Sequence, residues 1–377
     1  MTTRRITTMT QARAALTPCC GADWTMTDVQ LDEPRHDEIL VRIVATGICH
    51  TDMSVRDQHL PTPLPAVLGH EGAGVVEKVG PAVTELVPGD HVVLTVINCG
   101  KCSNCLSGFP TYCEQLMPLN FSGRRLDGSA LIRRGEEEVS GGFFGQSSFA
   151  TYALATERNA VKVPKDIDLS LLGPLGCGIQ TGAGTVFNTL RPEIGTSIVI
   201  FGAGAVGLSA VMAARVAGCA TIIAVDLHAN RLELARELGA THVIDASAGD
   251  TVQAVRDIGG GVNYAIDTTA NTAVIRQAVD CLLPMGRCTM VGVSPPGAEV
   301  TVPVMSLFFG QTLGGAVEGN AVPKVLIPRL IELWRQGRFP FERMVKFYDF
   351  EQINQAVADS ASGATLKAIL RIGAVQA

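Results

Sequence analysis

The chain has 377 residues, 47% of them hydrophobic and 18% charged, with a formal charge of −6 and 11 cysteines. That length exceeds one ordinary core and argues for two domains, while mild acidity without a basic block excludes nucleic acid as the main partner. No apolar run reaches the roughly 20 residues that span a bilayer, which excludes a membrane-spanning role.

The leading residues MTTRRITTMTQARAAL carry arginine and threonine but lack the apolar core of a secretory signal, so the expected compartment is the cytoplasm. In a large cytoplasmic protein, patterned cysteines serve metals or catalysis more readily than disulfides. From about residue 30 to 100, EILVRIVATGI, GAGVVEKVG and VPGDHVVLTV read as short strands separated by turns. They predict a β-rich, partly barrel-like domain. Within it Cys49 (ATGICHTD) and His70 (GHEG) stand beside glycines at the ends of apolar stretches, and Cys177 (GPLGCGIQTG) does so further on. Two thiolates, one imidazole and a water would make an open, Lewis-acidic zinc site. The residues alone leave inert buried cysteines as an equal alternative.

Cys99, Cys102, Cys105 and Cys113 form C-x2-C-x2-C-x7-C in NCGKCSNCLSGFPTYC. Four thiolates so close, with Gly100, Ser103, Asn104 and Gly108 supplying bends, suit a closed structural zinc site. An iron–sulfur cluster or reactive disulfides remain open at this point.

After about residue 180 strands and helices alternate: TSIVIFGAGAVGLSAVMAARVAG, TIIAVDLHANRLELARELGATHVID, VNYAIDTT, AVIRQAVDCLLPMGRCTMVGV and PKVLIPRLIELWRQGRF. Such alternation predicts an α/β domain with a doubly wound parallel sheet. Gly202, Gly204 and Gly207 complete G-x-G-x-x-G between the strand SIVIF and a helix. The first glycine serves the tight turn, the second the approach of the pyrophosphate, and the third close helix–strand packing. Asp226 closes the next strand, where a carboxylate accepts ribose hydroxyls and repels an added phosphate, so NAD is expected over NADP. The tail FYDFEQINQAVADSASGATLKAILRI has no fresh core and returns to the first domain. The expected boundaries are 1–180, 181–318 and 319–377.

Together GICHTD, GHEGAGVVEKVG, the four-cysteine lobe, LGCGIQTGAG, the fingerprint with Asp226, and MVGV closely resemble the zinc-dependent medium-chain alcohol dehydrogenases over nearly the whole chain. The resemblance implies a Rossmann domain plus a GroES-like β-rich catalytic domain, with two zinc ions per subunit. Cys49, His70 and Cys177 would hold the catalytic zinc, with Glu71 just outside it and Asp52 orienting His70. Thr51 would take the substrate proton and pass it on through the cofactor ribose. Cofactor contacts are implied at His50, Thr181, Val206, Val291, Val293, Val317 and Lys367, with His50 and Lys367 at the pyrophosphate. Many relatives have a histidine five residues after the first zinc cysteine, where this chain has Ser54, so the last proton step is expected to run through water rather than through His59.

The resemblance puts Thr95, Phe143, Phe144, Val293 and Val317 on the walls of the substrate pocket, a dry slot for an alcohol and its aldehyde. The aryl-alcohol branch is the most similar, with terpene-alcohol oxidisers close by, so benzyl or geranyl alcohol is the expected substrate. A general aliphatic alcohol dehydrogenase is an alternative. Another is a glutathione-dependent formaldehyde dehydrogenase, whose open basic mouth Arg124, Arg125, Arg133 and Arg134 would supply. A non-catalytic zinc-stabilised protein is opposed by the retention of all three ligands. The apolar segment Thr301 to Val317 is expected to assemble a homo-oligomer, and Glu114 to Ser148 resembles the dimeric branch.

Overall fold

The computed structural model describes residues 9–374. Of the stretch MTTRRITTMTQARAAL, residues 1–8 lie outside the described residues, and Thr10–Thr17 is a strand paired antiparallel with Thr25–Leu31. Ala14, Ala15 and Leu16 are buried, so this strand belongs to the core.

The chain folds into two compact units. The first takes residues up to Cys177, then Val322–Pro328, then the chain from Met344 onward; the second takes Gly178–Ala321 and Arg329–Arg343. The tail therefore does not return as one block from 319. Arg329–Arg343 stays with the second unit because Leu330, Ile331, Phe339 and Phe341 are buried there and Arg343 pairs with Glu237.

In the first unit, one sheet has the order Ala66–Val67, Thr10–Thr17, Thr25–Leu31, Ile132–Arg134, Glu137–Val139. The other runs Ala160–Lys162, His91–Leu94, Glu71–Val79, Glu38–Gly47, Lys367–Arg371, Val345–Asp349, with Tyr152–Thr156 also on Glu38–Gly47. Glu38–Gly47 is the spine, since it pairs with Glu71–Val79, Tyr152–Thr156 and Lys367–Arg371. Strand side chains alternate between faces, and here Leu40 enters one apolar core while Ile39, Val41 and Ile43 enter another. The spine ends at Gly47, two residues before Cys49, and its partner Glu71–Val79 starts one residue after His70. The pairing Gly47↔Glu71 thus brings the two candidate ligands together from 21 positions apart in sequence (70 − 49).

The second unit has a six-stranded sheet, parallel throughout. Its spatial order is His242–Asp245, Thr221–Asp226, Ser197–Phe201, Val262–Asp267, Leu282–Met290, Thr312–Gly315. Numbered by chain position these are 3-2-1-4-5-6, the doubly wound order that leaves a ligand crevice beyond the carboxyl ends of the first and fourth strands. Among the described residues, no helix is long and apolar enough to cross a membrane.

Candidate active site

His70 owes its orientation to one carboxylate. Asp52, on the short helix His50–Arg56, accepts from His70 Nδ1 at 2.9 Å and from the Gly69 amide at 3.1 Å through Oδ1. Through Oδ2 it accepts from the Cys49 amide at 3.0 Å. With the proton on Nδ1 committed to Asp52, Nε2 presents a lone pair. That atom is fully buried and has no hydrogen-bond partner, a state that native interiors rarely tolerate.

The ligand atoms of Cys49, His70, Glu71 and Cys177 all lie within 4.8 Å of one another. Hydrogen bonding to Cys177, against the opposing effect of burial and with help from His70, lowers the Cys49 thiol well below its ordinary value. Burial pushes Glu71 up to about 7 although Lys367 pulls it down. Lys367 Nζ donates to both Glu71 oxygens at 2.8 Å and to Ile48 O at 3.0 Å. Burial disfavours its charge, but Glu71 and Cys49 raise its pKa above the ordinary lysine value. The cluster gathers thiolate and carboxylate charge around an orphaned imidazole nitrogen, and one dication would satisfy both. Cys49, His70 and Cys177 therefore fit a zinc ion, and two sulfurs with one nitrogen leave a fourth position open.

A loop of aromatic side chains walls this site. The Phe144 ring stacks on His70 at 4.5 Å and 30°, and Phe143 meets it edge-on at 5.4 Å. Phe121 packs against both phenylalanines. Phe144 has φ +52°, a region bulky residues avoid, so the surroundings must hold it. Gln146 does part of this, accepting from the Gly72 amide at 3.0 Å and donating to His70 O at 2.9 Å. Thr95 is buried, its hydroxyl donating to Gly176 O at 2.6 Å next to Cys177. Thr51 Oγ1 lies 3.7 Å from Cys49 Sγ, while His50 is exposed.

The four-cysteine lobe closes on itself. The Cys99, Cys102, Cys105 and Cys113 sulfurs lie within 4.8 Å of one another, and the pairs Cys99–Cys105 and Cys102–Cys113 are each 4.0 Å apart. All four thiols are free, which removes the disulfide reading. A zinc–sulfur bond of about 2.3 Å gives a tetrahedral edge near 3.8 Å, so the spacing fits one ion. A multi-iron cluster would hold the thiolates farther apart. The Lys101 amide, aided by that of Cys102 against burial, brings the Cys99 thiol down to about 6.

In the second unit the fingerprint helix Ala205–Ala217 starts after Gly204, which offers no side-chain cap. A Cβ at Gly207 would fall 1.8 Å from Gly202 O, whereas one at Gly204 would meet nothing within 4 Å. The helix start is thus closely packed on the strand side and open toward a ligand, which fits a pyrophosphate. Asp226 accepts from the Ala203 amide at 2.7 Å and from the Leu227 and His228 amides. Thr181 Oγ1 donates to Glu318, and Val291 N to Asp267 O. Val293 and Val317 are exposed, and Val206 lies in the first turn of the fingerprint helix.

Several residues escaped the sequence reading. Arg231 lies 3.8 Å from Asp226, and its buried Nε has no hydrogen-bond partner; spacing on the next helix was the available signal. Phe121 sits in LNFSGRRLDGS, a segment with no derivable role in sequence. Gln146 and Glu318 gave no sequence signal. The four arginines of the basic-mouth alternative are all engaged: Arg124 and Arg133 by Glu138, Arg134 by Glu137, and Arg125 by Glu38 and Asp32.

Residues 35–165 match the family model of the alcohol dehydrogenase GroES-like domain, and residues 205–332 match that of zinc-binding dehydrogenases. The chain is 46% identical to a geraniol dehydrogenase of Castellaniella defragrans, over 95% of this chain and 97% of that relative. The crystal structure of benzyl alcohol dehydrogenase from Acinetobacter calcoaceticus is similar with a TM-score of 0.94 and 51% identity, covering 96% of this chain and 99% of that one. An alcohol dehydrogenase zinc-binding domain protein from Burkholderia ambifaria gives a TM-score of 0.95 and 55% identity, over 97% and 99%.

Proposed function

Because the chain belongs to the zinc-dependent medium-chain alcohol dehydrogenase family, we propose that it oxidises a primary aromatic or allylic alcohol reversibly to the aldehyde with NAD. The observation that carries this reading is the buried, unpartnered Nε2 of His70, among two thiols and under the Phe144 ring. Cys49, His70 and Cys177 would hold the catalytic ion, and the four-cysteine lobe a second, structural one. Zinc in the first set supplies a Lewis acid that eases removal of the alcohol proton, and NAD supplies the hydride acceptor.

The chain's own residues do the rest. Asp52 fixes the tautomer and direction of His70. Phe143 and Phe144 keep water away and give a planar substrate an apolar surface. The Thr51 hydroxyl, beside Cys49, would take the alcohol proton. Ser54 ends the relay, so the last transfer goes to water. In the second unit the Gly202–Gly207 turn receives the pyrophosphate and Asp226 the adenosine ribose, with Arg231 beside it. Lys367, expected at the pyrophosphate, is held by Glu71 in the first unit; its work is to neutralise that buried carboxylate.

The test follows reduced cofactor by absorbance with benzyl, geranyl and ethyl alcohols, using NAD or NADP. Benzyl or geranyl alcohol with NAD should give the highest kcat/KM. A marked preference for ethanol would overturn the substrate class, and a preference for NADP would assign Arg231 rather than Asp226 the deciding role. Turnover of formaldehyde only with glutathione would restore the alternative that the engaged arginines disfavour.

We also propose that the protein is a homodimer. The strand Thr312–Gly315 stands at the edge of the sheet. Val304, Met305, Leu307, Phe308 and Phe309 are exposed just before it, an apolar face of the kind that marks an interface.

A further inference from the structure

The second unit carries a carboxylate that the fingerprint does not require. Three residues beyond Gly315, the end of the last strand, the chain turns through Glu318, Gly319 and Asn320, with φ of +49°, +63° and +49°. Three successive left-handed residues, one a glutamate, persist only where the surroundings impose them. Here the helix Gly178–Gly184 imposes them. A Cβ on Gly319 would fall 2.6 Å from Gln180 O and 2.8 Å from Thr181 O, so only glycine allows this approach. Asn188 Nδ2 donates to Gly319 O at 3.1 Å and clamps the turn from the other side. The outcome is a fixed Glu318 carboxylate, accepting from Gln180 Nε2 at 2.9 Å and Thr181 Oγ1 at 3.4 Å.

Sheet order says which end of a dinucleotide this carboxylate meets. In a doubly wound sheet the ligand crosses the carboxyl ends of the strands, with its pyrophosphate at the switch point. The fingerprint follows Ser197–Phe201, and Asp226 ends the neighbour on one side, which is the adenosine side. The other nucleotide must lie over the ends of Val262–Asp267, Leu282–Met290 and Thr312–Gly315, the edge from which Glu318 emerges. Adenosine and pyrophosphate are the same in both redox forms. The nicotinamide ring is not: oxidised it carries one positive charge, and reduced it is neutral.

We propose that Glu318 selects the redox state of the cofactor, its carboxylate favouring the cationic nicotinamide of NAD+ over the neutral ring of NADH. This rests on the reading of the second unit as an NAD site. Such a selector would speed release of the reduced cofactor and bias the protein toward alcohol oxidation. Glu318 is a positioning and specificity residue, since it transfers neither hydride nor proton.

The experiment measures Kd for NAD+, NADH and ADP-ribose by titration calorimetry on the zinc-loaded protein and on Glu318→Gln, which keeps size and removes charge. The variant should bind NAD+ about tenfold more weakly, with NADH and ADP-ribose within about twofold of the unaltered protein. Glu318→Asp should restore part of the NAD+/NADH contrast. Equal weakening of all three ligands would reduce Glu318 to a structural turn residue and overturn the proposal, as would no change in any. Should Glu318→Gln not fold, the same ratio is read in the unaltered protein as salt rises. Preference for NAD+ should shrink as screening sets in, and a flat ratio overturns the selector. Failure of the unaltered protein to bind any of the three would instead remove the NAD reading itself.

Discussion

Asp52 makes three hydrogen bonds with two oxygens, to the His70 ring and to the amides of Gly69 and Cys49, around the candidate metal site. Removing it in Asp52→Ala should lower zinc affinity and kcat about 10–100-fold, the usual effect of losing a partner behind a ligand. Metal content after dialysis against a weak chelator checks this; full retention of zinc would deny Asp52 that role. Lys367 poses a different question, because it stands between the pyrophosphate expected from resemblance and the Glu71 carboxylate it touches. Lys367→Met would strand a buried carboxylate and should destabilise the first unit by about 3–5 kcal/mol, read by urea unfolding. If the variant unfolds normally but loses only cofactor affinity, the pyrophosphate role is the real one. Ser54→His should shift the pH profile of kcat by inserting a group that titrates near neutrality; an unmoved profile would argue that the proton already leaves by another route. At this scale the sequence was informative where chemistry repeats a spacing. Cys99 to Cys113 and Gly202 to Gly207 are local patterns. Phe144 above His70, or Gln146 bridging His70 O and Gly72, depends on a backbone turn that no local propensity announces.

Elements explain why distant residues meet. The strands EILVRIVATG, SIVIF and TIIAVD were legible because each is a run of β-branched residues bounded by turn residues. Their pairings were not, because which strand lies beside which, as at Gly47↔Glu71 and Arg371↔Ala45, is set between segments distant in sequence. The strand Thr10–Thr17 announces itself less clearly: Gln11 and Arg13 are its exposed residues, and burial of Ala12 and Ala14 beside them marks the sheet. The edge strand Thr312–Gly315 carries the oligomer prediction. Leu307→Lys together with Phe308→Asp, both at exposed positions, should convert a dimer to monomers without loss of secondary structure, since exposed apolar edges are held apart by charge. Sedimentation or light scattering gives the answer, and an unchanged mass would move the interface elsewhere.

For the molecule as a whole, the two metal sets should respond differently to chelation. The Cys99–Cys113 lobe is partly exposed at Cys99, Cys102 and Cys105, whereas His70 is wholly buried. Graded chelation should therefore lower thermal stability before it abolishes turnover, with the first zinc lost to solution accompanied by a falling Tm. Loss of activity ahead of any change in Tm would reverse the assignment of which ion is structural. The two-unit architecture was legible from the change of texture near residue 180, but Arg329–Arg343 was not. Its helix reads alike for either unit, and the buried Leu330, Ile331, Phe339 and Phe341, with the Arg343–Glu237 pair, decide the matter.

The spine Glu38–Gly47 has a further implication for anyone who would retune this protein. Because its two faces serve separate apolar cores, sliding it by one residue would exchange those cores, so the anchor of Cys49 cannot drift by small steps. The Gly142–Gly145 bracket is built the other way, from strained turns around Phe143 and Phe144. Laboratory evolution toward bulkier alcohols should thus collect its changes in that bracket and leave the spine untouched.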